Sequence, residues 1–208
     1  MMEKSCTEFL DMLASRAPVP GGGGASALAG ALGMALGSMV GNLTWNKKKY
    51  ENVQDDIQRI LGRANILQQE LLVLVEKDAE VFAPLSRVYG LPRGTEEEKR
   101  IREEEMEAAL GNACSVPMKI MEKCLECIDL HEELSEKGTK MAISDIGVGV
   151  LFCKSALMGA QLNVQINTSS MKNRACAEEL NARAARMMES GVRKADLVYQ
   201  RVEKRIAG

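Results

Sequence analysis

Asp78 lies in the stretch VEKDAEVF, flanked by Val75, Ala79 and Phe82. A carboxylate at an apolar boundary loses hydration, so its pKa rises and it can exchange protons near neutral pH. Asp145 follows Ser144 at the start of another apolar run. Two readings stay open for it: complementing a helix dipole, or catalysis. Lys47, Lys48 and Lys49, with Tyr50 next to them, could supply a cation and an aromatic surface. They equally suit a solvated helix end, where cations face the negative pole. Asn163 and Asn167 stand one turn apart and offer amide donors and acceptors, or form a polar stripe near a helix end. Gly21, Gly22, Gly23 and Gly24 lead into an uncharged run, with the hydroxyl of Ser26 close behind. A helix starting there presents free N–H groups to an anion. An ordinary flexible helix entry is the alternative.

Helices must position these groups. Aromatic residues are only 3% of the chain while methionine numbers 13, a balance that favours helices over sheets. Phe9, Leu10 and Leu13 mark a short amphipathic helix over Lys4–Ser15, which Pro18 and Pro20 end. Ala25–Thr44 reads as a buried helix, and Asn46–Tyr50 as a polar break. Glu51–Val88 is one long helix on the spacing of Ile57, Ile60, Ala64, Leu67, Leu71 and Leu74, with Pro84 kinking or ending it. Thr95 and Glu98 form a capping box ahead of a helix over Glu96–Cys127, bent at Pro117. Gly138 is a stop signal. Ser144–Ile166 is a second buried helix with Ser144 as its N-cap, and Lys172–Ile206 a last amphipathic one. The expected architecture is all-α: six mostly long helices in one bundle-like domain over residues 1–208.

The glycine-rich run PVPGGGGASALAGALGMALGSMVGNLT has three readings. A phosphate loop of the Walker type needs a Lys after the glycines, and none follows. Gly22, Gly24 and Ala27 fit a dinucleotide fingerprint, but a helix and two prolines precede them where that fold needs a strand. A membrane span has the length and the flanking lysines, but Ala and Gly give weak transfer energy. Close packing suits it best. Ala25, Ala29, Gly33, Gly37 and Gly41 recur every four residues and make a flat stripe. Each glycine costs a helix about 1 kcal/mol relative to Ala, so a close partner helix or subunit must offset the stripe. Gly147, Gly149, Ala156 and Gly159 suggest a second such helix.

A net charge of -2 gives no electrostatic case for a nucleic-acid binder. Met1–Leu10 carries three charged residues and no apolar run, so no signal peptide is expected. Reduced thiols in a cytoplasmic protein follow as the expectation for the six cysteines. Cys124 and Cys127 form a C-x-x-C, but no strand context supports a redox motif, and a zinc site needs further ligands when His131 is the only histidine. His131, in DLHEEL, reads as exposed and uninvolved. No metal is expected.

PVPGGGGASALAGALGMALGSMV followed by NKKKY resembles the cyclodeaminase/cyclohydrolase family. SDIGVGVLFCKSALMGAQLNVQIN matches a second hallmark, SD-[VIL]-GV…A-L-x-G-A…NV-x-IN, and DAEVFAPLSRVYGLP and ALGNACSVPMKIME also look like the family. The resemblance spans nearly the whole chain. It implies an all-helical homodimer that binds folate as substrate, with no other cofactor, no nucleic acid and no membrane. Two departures stand out. Gly24 occupies a place where the family often has Ser, so a hydroxyl contact is lost or passes to Ser26. The tail NTSSMKNR is more polar than the family pattern.

The family reactions act on the one-carbon unit between N5 and N10 of tetrahydrofolate. Hydrolysis of the cationic methenyl form needs a group that takes a proton from water and returns one to the leaving nitrogen. Cyclodeamination of the N5-formimino form needs similar transfers as ammonia leaves. One carboxylate with a nearby lysine could serve either. The resemblance therefore implies Asp78, Asp145 and Lys49 as catalytic groups. It implies Gly21–Gly24, Ser26, Tyr50, Asn163 and Asn167 as substrate contacts, with Tyr50 against the pterin or benzoyl ring. Cyclohydrolase is the expected activity, because 208 residues leave no room for a transferase domain. Cyclodeaminase is the alternative, and a non-catalytic helical interaction module is the competitor from another class. The enzyme readings require Asp78, Asp145 and Asn163 to converge on a cleft. The module leaves them apart and exposed.

Overall fold

The structure is a computed structural model and describes residues 1–208. It contains six α-helices and no strand. They are α1 (Cys6–Leu13), α2 (Gly22–Thr44), α3 (Gln54–Tyr89), α4 (Glu96–Lys137), α5 (Ile143–Ser169) and α6 (Arg174–Ala207). Short 3-10 turns over Lys48–Val53 and Lys140–Ala142 lead into α3 and α5. Ser5 and Thr95 cap α1 and α4, each in a reciprocal box with a Glu three residues on. The α3 stripe is buried as its spacing dictates, from Ile57 through Val75.

Most helix ends fall within about three residues of expectation, and α3 runs on through Pro84 to Tyr89 rather than ending there; three differences matter more. α4 runs on to Lys137, carries Pro117 inside it, and stops at Gly138. Ser144 is not a cap: the 3-10 turn feeds α5 directly, and Ser144 lies in its first turn after Ala142. α2 begins at Gly22 with Gly21 as N-cap, so three glycines expected in a turn are helical.

α2 and α5 form the centre of the bundle and run antiparallel. Gly22 lies beside Asn163, Ser26 beside Gly159, Gly33 beside Cys153, and Thr44 Oγ1 accepts from the Thr139 N–H at 2.9 Å. The small-residue seam has its partner inside the chain. A Cβ on Gly33 would stand 2.6 Å from Cys153 Sγ and 2.7 Å from the Gly149 carbonyl. One on Gly41 would stand 2.8 Å from Leu61 of α3. The helix propensity lost at these glycines is offset by internal helix contact, so the stripe is not itself a subunit interface.

His131 corrects its expectation. It is fully buried, projecting from α4 into a socket walled by Gly37 and Gly149. A Cβ on Gly37 would sit 3.2 Å from the ring, and one on Gly149 would overlap Nε2. Nδ1 donates to the Cys127 carbonyl at 2.7 Å, while Nε2 makes no hydrogen bond. Burial pushes the pKa of His131 below its usual value, against the pull of the Cys127 carbonyl. The folded state therefore resists a proton that the unfolded chain accepts below about pH 6.5. Stability is full above that pH and falls as pH drops from there towards the lowered folded pKa. A thermal melt at pH 5.5 should have a lower midpoint than one at pH 7.5. That gap should narrow in His131→Asn, and an equal gap in both proteins would remove His131 as its source.

Candidate active site

The first turn of α2, the middle of α3 and the last third of α5 meet at one end of the bundle. Asp78 reaches across from α3 and accepts the Gly24 N–H on Oδ2 at 2.9 Å. The anion favoured at this helix N-terminus is thus the protein's own carboxylate. The bare backbone of Gly23 leaves room for the carboxylate in this position, because a Cβ there would overlap Asp78 Oδ1 and stand 2.5 Å from its Cγ. Burial raises the Asp78 pKa above the usual carboxylate value, and the Gly24 N–H partly opposes it.

Asp78 opens onto a cavity of about 210 Å³. Its walls include Pro18, Gly21, Gly22, Gly23, Val81, Phe82, Pro117, Asn163, Ile166 and Asn167. Asn163 Nδ2 donates to the Gly159 carbonyl at 2.9 Å, and Asn167 Nδ2 to the Ala113 carbonyl at 3.2 Å. Each amide is thereby oriented and keeps a free N–H and its own carbonyl oxygen for a ligand. Asp78 is the only titratable side chain in the lining. No group of three or more His, Cys, Asp or Glu is placed to hold a metal ion.

The predicted residues divide between two ends of the molecule. Asp78, Gly21–Gly23, Asn163 and Asn167 meet at this cavity, with Gly24 behind Asp78. Ser26 does not face it. Its Oγ donates to the Gly22 carbonyl at 2.7 Å and packs under Gly159, so it does not replace the hydroxyl missing at Gly24. Lys49 and Tyr50 lie past the far end of α2, where the Tyr50 hydroxyl accepts the Lys140 N–H at 3.2 Å. Asp145 is in the first turn of α5, eighteen residues before Asn163, or about 27 Å along the helix. The single converging cleft expected for Asp78, Asp145 and Asn163 does not form within one chain. Asp145 and Asn163 stand towards opposite ends of the same helix, and the rise of α5 holds them apart. Val81, Phe82 and Pro117 are lining residues not expected as substrate contacts; Phe82 stands in the sequence only as an apolar neighbour of Asp78 and Pro117 only as a helix bend, although Phe82 and Val81 lie four and three residues from Asp78, a spacing that marks the same helix face.

Gly23→Ala should keep the fold and lose most turnover. The added methyl meets the end of a side chain, so Asp78 swings aside at small cost, but its carboxylate leaves the Gly24 N–H. A circular dichroism melt near the wild-type midpoint with strongly reduced turnover is the expected pair of results. Wild-type turnover would show that the carboxylate position is unimportant.

Fold and cavity define an all-helical protein with a carboxylate capping a glycine helix start inside a ligand-sized recess. Residues 5–186 match the model of the formiminotransferase-cyclodeaminase family, and the chain belongs to that family. It is 42% identical to methenyltetrahydrofolate cyclohydrolase of Methylorubrum extorquens over 95% of both chains. It is 28% identical to formimidoyltransferase-cyclodeaminase of Rattus norvegicus, over 99% of this chain but only 38% of that protein. The crystal structure of formiminotetrahydrofolate cyclodeaminase from Thermotoga maritima superposes with a TM-score of 0.84 at 30% identity, covering 100% of this chain and 98% of that one. These relatives are enzymes, and so is this protein.

Proposed function

We propose that this folate one-carbon enzyme hydrolyses 5,10-methenyltetrahydrofolate to 10-formyltetrahydrofolate, with Asp78 moving the proton. The observation that carries the reading is the isolation of Asp78 as the one titratable group in the cavity, with a raised pKa and one oxygen tied down. The methenyl carbon is part of a cationic amidinium, which a carboxylate stabilises. Water adds its oxygen to that carbon and gives a proton to Asp78, leaving a neutral carbinolamine. The bond from carbon to N5 then breaks as Asp78 returns its proton to N5. The hydroxyl proton goes to solvent and the formyl group stays on N10. Asn163 and Asn167 hold the pterin edge, and the N–H groups and open backbone of Gly21–Gly23 let the ring lie close.

The identity to the Methylorubrum extorquens cyclohydrolase ranks this reaction first. The Thermotoga maritima structure supports cyclodeamination of formiminotetrahydrofolate as the second reading. In that case Asp78 serves the attack of N10 and the departure of ammonia. Purified protein given methenyltetrahydrofolate and, separately, formiminotetrahydrofolate decides the order. Loss of the methenyl absorbance supports hydrolysis. Ammonia release from the formimino compound, with no hydrolysis of the methenyl one, reverses it.

Homodimeric assembly, a cytoplasmic location, and independence from metal, nucleotide, nucleic acid and membrane belong to the same proposal. The lining supports metal independence, since it offers one carboxylate and neither imidazole nor thiol. Dialysis against a strong chelator should leave turnover unchanged. Reversible loss restored by a divalent cation would overturn the metal-free reaction.

A further inference from the structure

Pro117 lies inside α4 and forms part of the cavity wall. A proline carries no N–H, so the carbonyl four residues earlier loses its partner in the helix ladder, and the ring pushes that carbonyl aside. In α4 the carbonyl belongs to Ala113, a buried residue. A buried carbonyl left without a donor is costly, so another group must supply one. The Asn167 side chain of α5 does so, its Nδ2 donating to the Ala113 carbonyl at 3.2 Å. Next to Ala113, the Cys114 thiol packs on the Val164 carbonyl at 3.9 Å, so α4 and α5 are in contact at this level.

Two comparisons within the chain tie this contact to the proline. Asn163 stands one turn before Asn167 on the same helix, and its Nδ2 turns back to the Gly159 carbonyl four residues earlier. By the same local geometry Asn167 would turn back to the Asn163 carbonyl. It reaches instead to α4, across 54 residues of sequence. Pro84 is the other proline inside a helix, and the carbonyl it frees belongs to exposed Glu80 and draws no side chain to it.

The contact decides which way the Asn167 amide faces. A carbonyl oxygen accepts from Nδ2 and repels Oδ1. One N–H of Asn167 is therefore committed to α4, which fixes the sides on which Oδ1 and the remaining N–H stand in the cavity that Asn167 lines. Without the freed carbonyl the amide could turn over and exchange its donor and acceptor positions.

We propose that Pro117 is a positioning residue for substrate: by freeing the Ala113 carbonyl it sets the orientation in which Asn167 meets the ring edge of the folate. The inference rests on the reading of the Asp78 cavity as the folate site. Its test is Pro117→Ala, with kcat and KM measured on whichever of methenyl- and formiminotetrahydrofolate the wild type turns over, beside a thermal melt. The restored N–H takes back the Ala113 carbonyl and releases Asn167. The melting midpoint should rise by a few degrees, because a proline inside a helix is costly. KM should rise roughly three- to tenfold, the worth of one hydrogen bond, with kcat nearly unchanged, as for lost uniform binding. A proline with a structural role alone would shift the midpoint and leave KM as it is. A lowered midpoint would mean that α4 is built around the bend, and overturns the freed-carbonyl account.

Pro117→Val keeps apolar bulk on the cavity wall and should show the same rise in KM. A normal KM there, beside a raised one in Pro117→Ala, assigns the effect to lost wall packing and overturns the proposal. Asn167→Ala should raise KM by a similar factor, and adding Pro117→Ala to it should raise KM no further. Additive losses overturn the coupling. Unchanged KM in Pro117→Ala, where Asn167→Ala raises it, overturns the role of Pro117 and leaves the folate site in place. Unchanged KM in Asn167→Ala removes Asn167 from the folate site, and the role of Pro117 with it.

Discussion

Asp78→Asn lowers turnover by about 10²–10⁴-fold, the usual worth of a general base, and leaves the melting midpoint unchanged or raised. Asn keeps a carbonyl oxygen for the Gly24 N–H, so the bond between α2 and α3 survives. It cannot take a proton from water at neutral pH. The stability half of the expectation follows from the sign of the pKa shift. Burial raises the Asp78 pKa, so the folded state binds its proton more tightly than the unfolded chain does. Above the folded pKa the ionised carboxylate opposes folding, and an uncharged amide relieves that opposition. The measurement is kcat beside a thermal melt at pH 7.5. A variant that melts well below wild type has lost structure, and its activity says nothing of the base. A variant with full kcat moves the proton transfer to another group. Substrate affinity should fall less than turnover, because the amides of Asn163 and Asn167 and the glycine turn are untouched.

Gly33→Leu costs about 3 kcal/mol or more, at the upper end of what overpacked cores show. The first atom of the new side chain already stands 2.6 Å from Cys153 Sγ and 2.7 Å from a backbone oxygen of α5. A thiol can turn aside, but a helix carbonyl cannot, so α2 and α5 must separate along their whole contact. At about 2–4 °C per kcal/mol for a chain of this length, the midpoint should drop by on the order of 10 °C. Gly62→Ala is the control. Gly62 is exposed inside α3 with nothing within 4 Å of the added methyl. It should gain about 0.5–1 kcal/mol from helix propensity alone. The same residue type then gives opposite signs at two helical positions, and differential scanning calorimetry reads both. Equal midpoints in Gly33→Leu and wild type would mean that the two helices do not meet at this glycine.

The elements that periodicity specifies were legible. The α3 stripe and the Thr95 box define their helices from local pattern alone. The start of α2 was not, because glycine reads as a helix breaker. Here Gly23 is helical to make room for Asp78, and Gly24 donates to the same carboxylate, so the reason lies 54 residues away. His131 was misread through its charged neighbours Asp129, Glu132 and Glu133. The period 120, 124, 127, 131, 134 puts it on the same buried face as Ile120, Cys124, Cys127 and Leu134, and that signal was available. The Asp78–Asn163 pairing rested on resemblance to a family. The separation of Lys49 and Asp145 from it is a matter of helix length and antiparallel direction, which a motif list does not contain.

The Gly24 N–H makes the two oxygens of Asp78 unequal. Oδ2 is committed to the helix start, which leaves Oδ1 as the oxygen without a partner in a side chain that lines the cavity. The carboxyl group cannot spin about its last bond without uncapping α2, so a single oxygen must both collect and deliver the proton. A planar methenyl ring bound against it would be served from one side only. Water would enter, and N5 would be protonated, on the same face of that ring, so the geometry of one helix cap would set the stereochemical course of both bond changes.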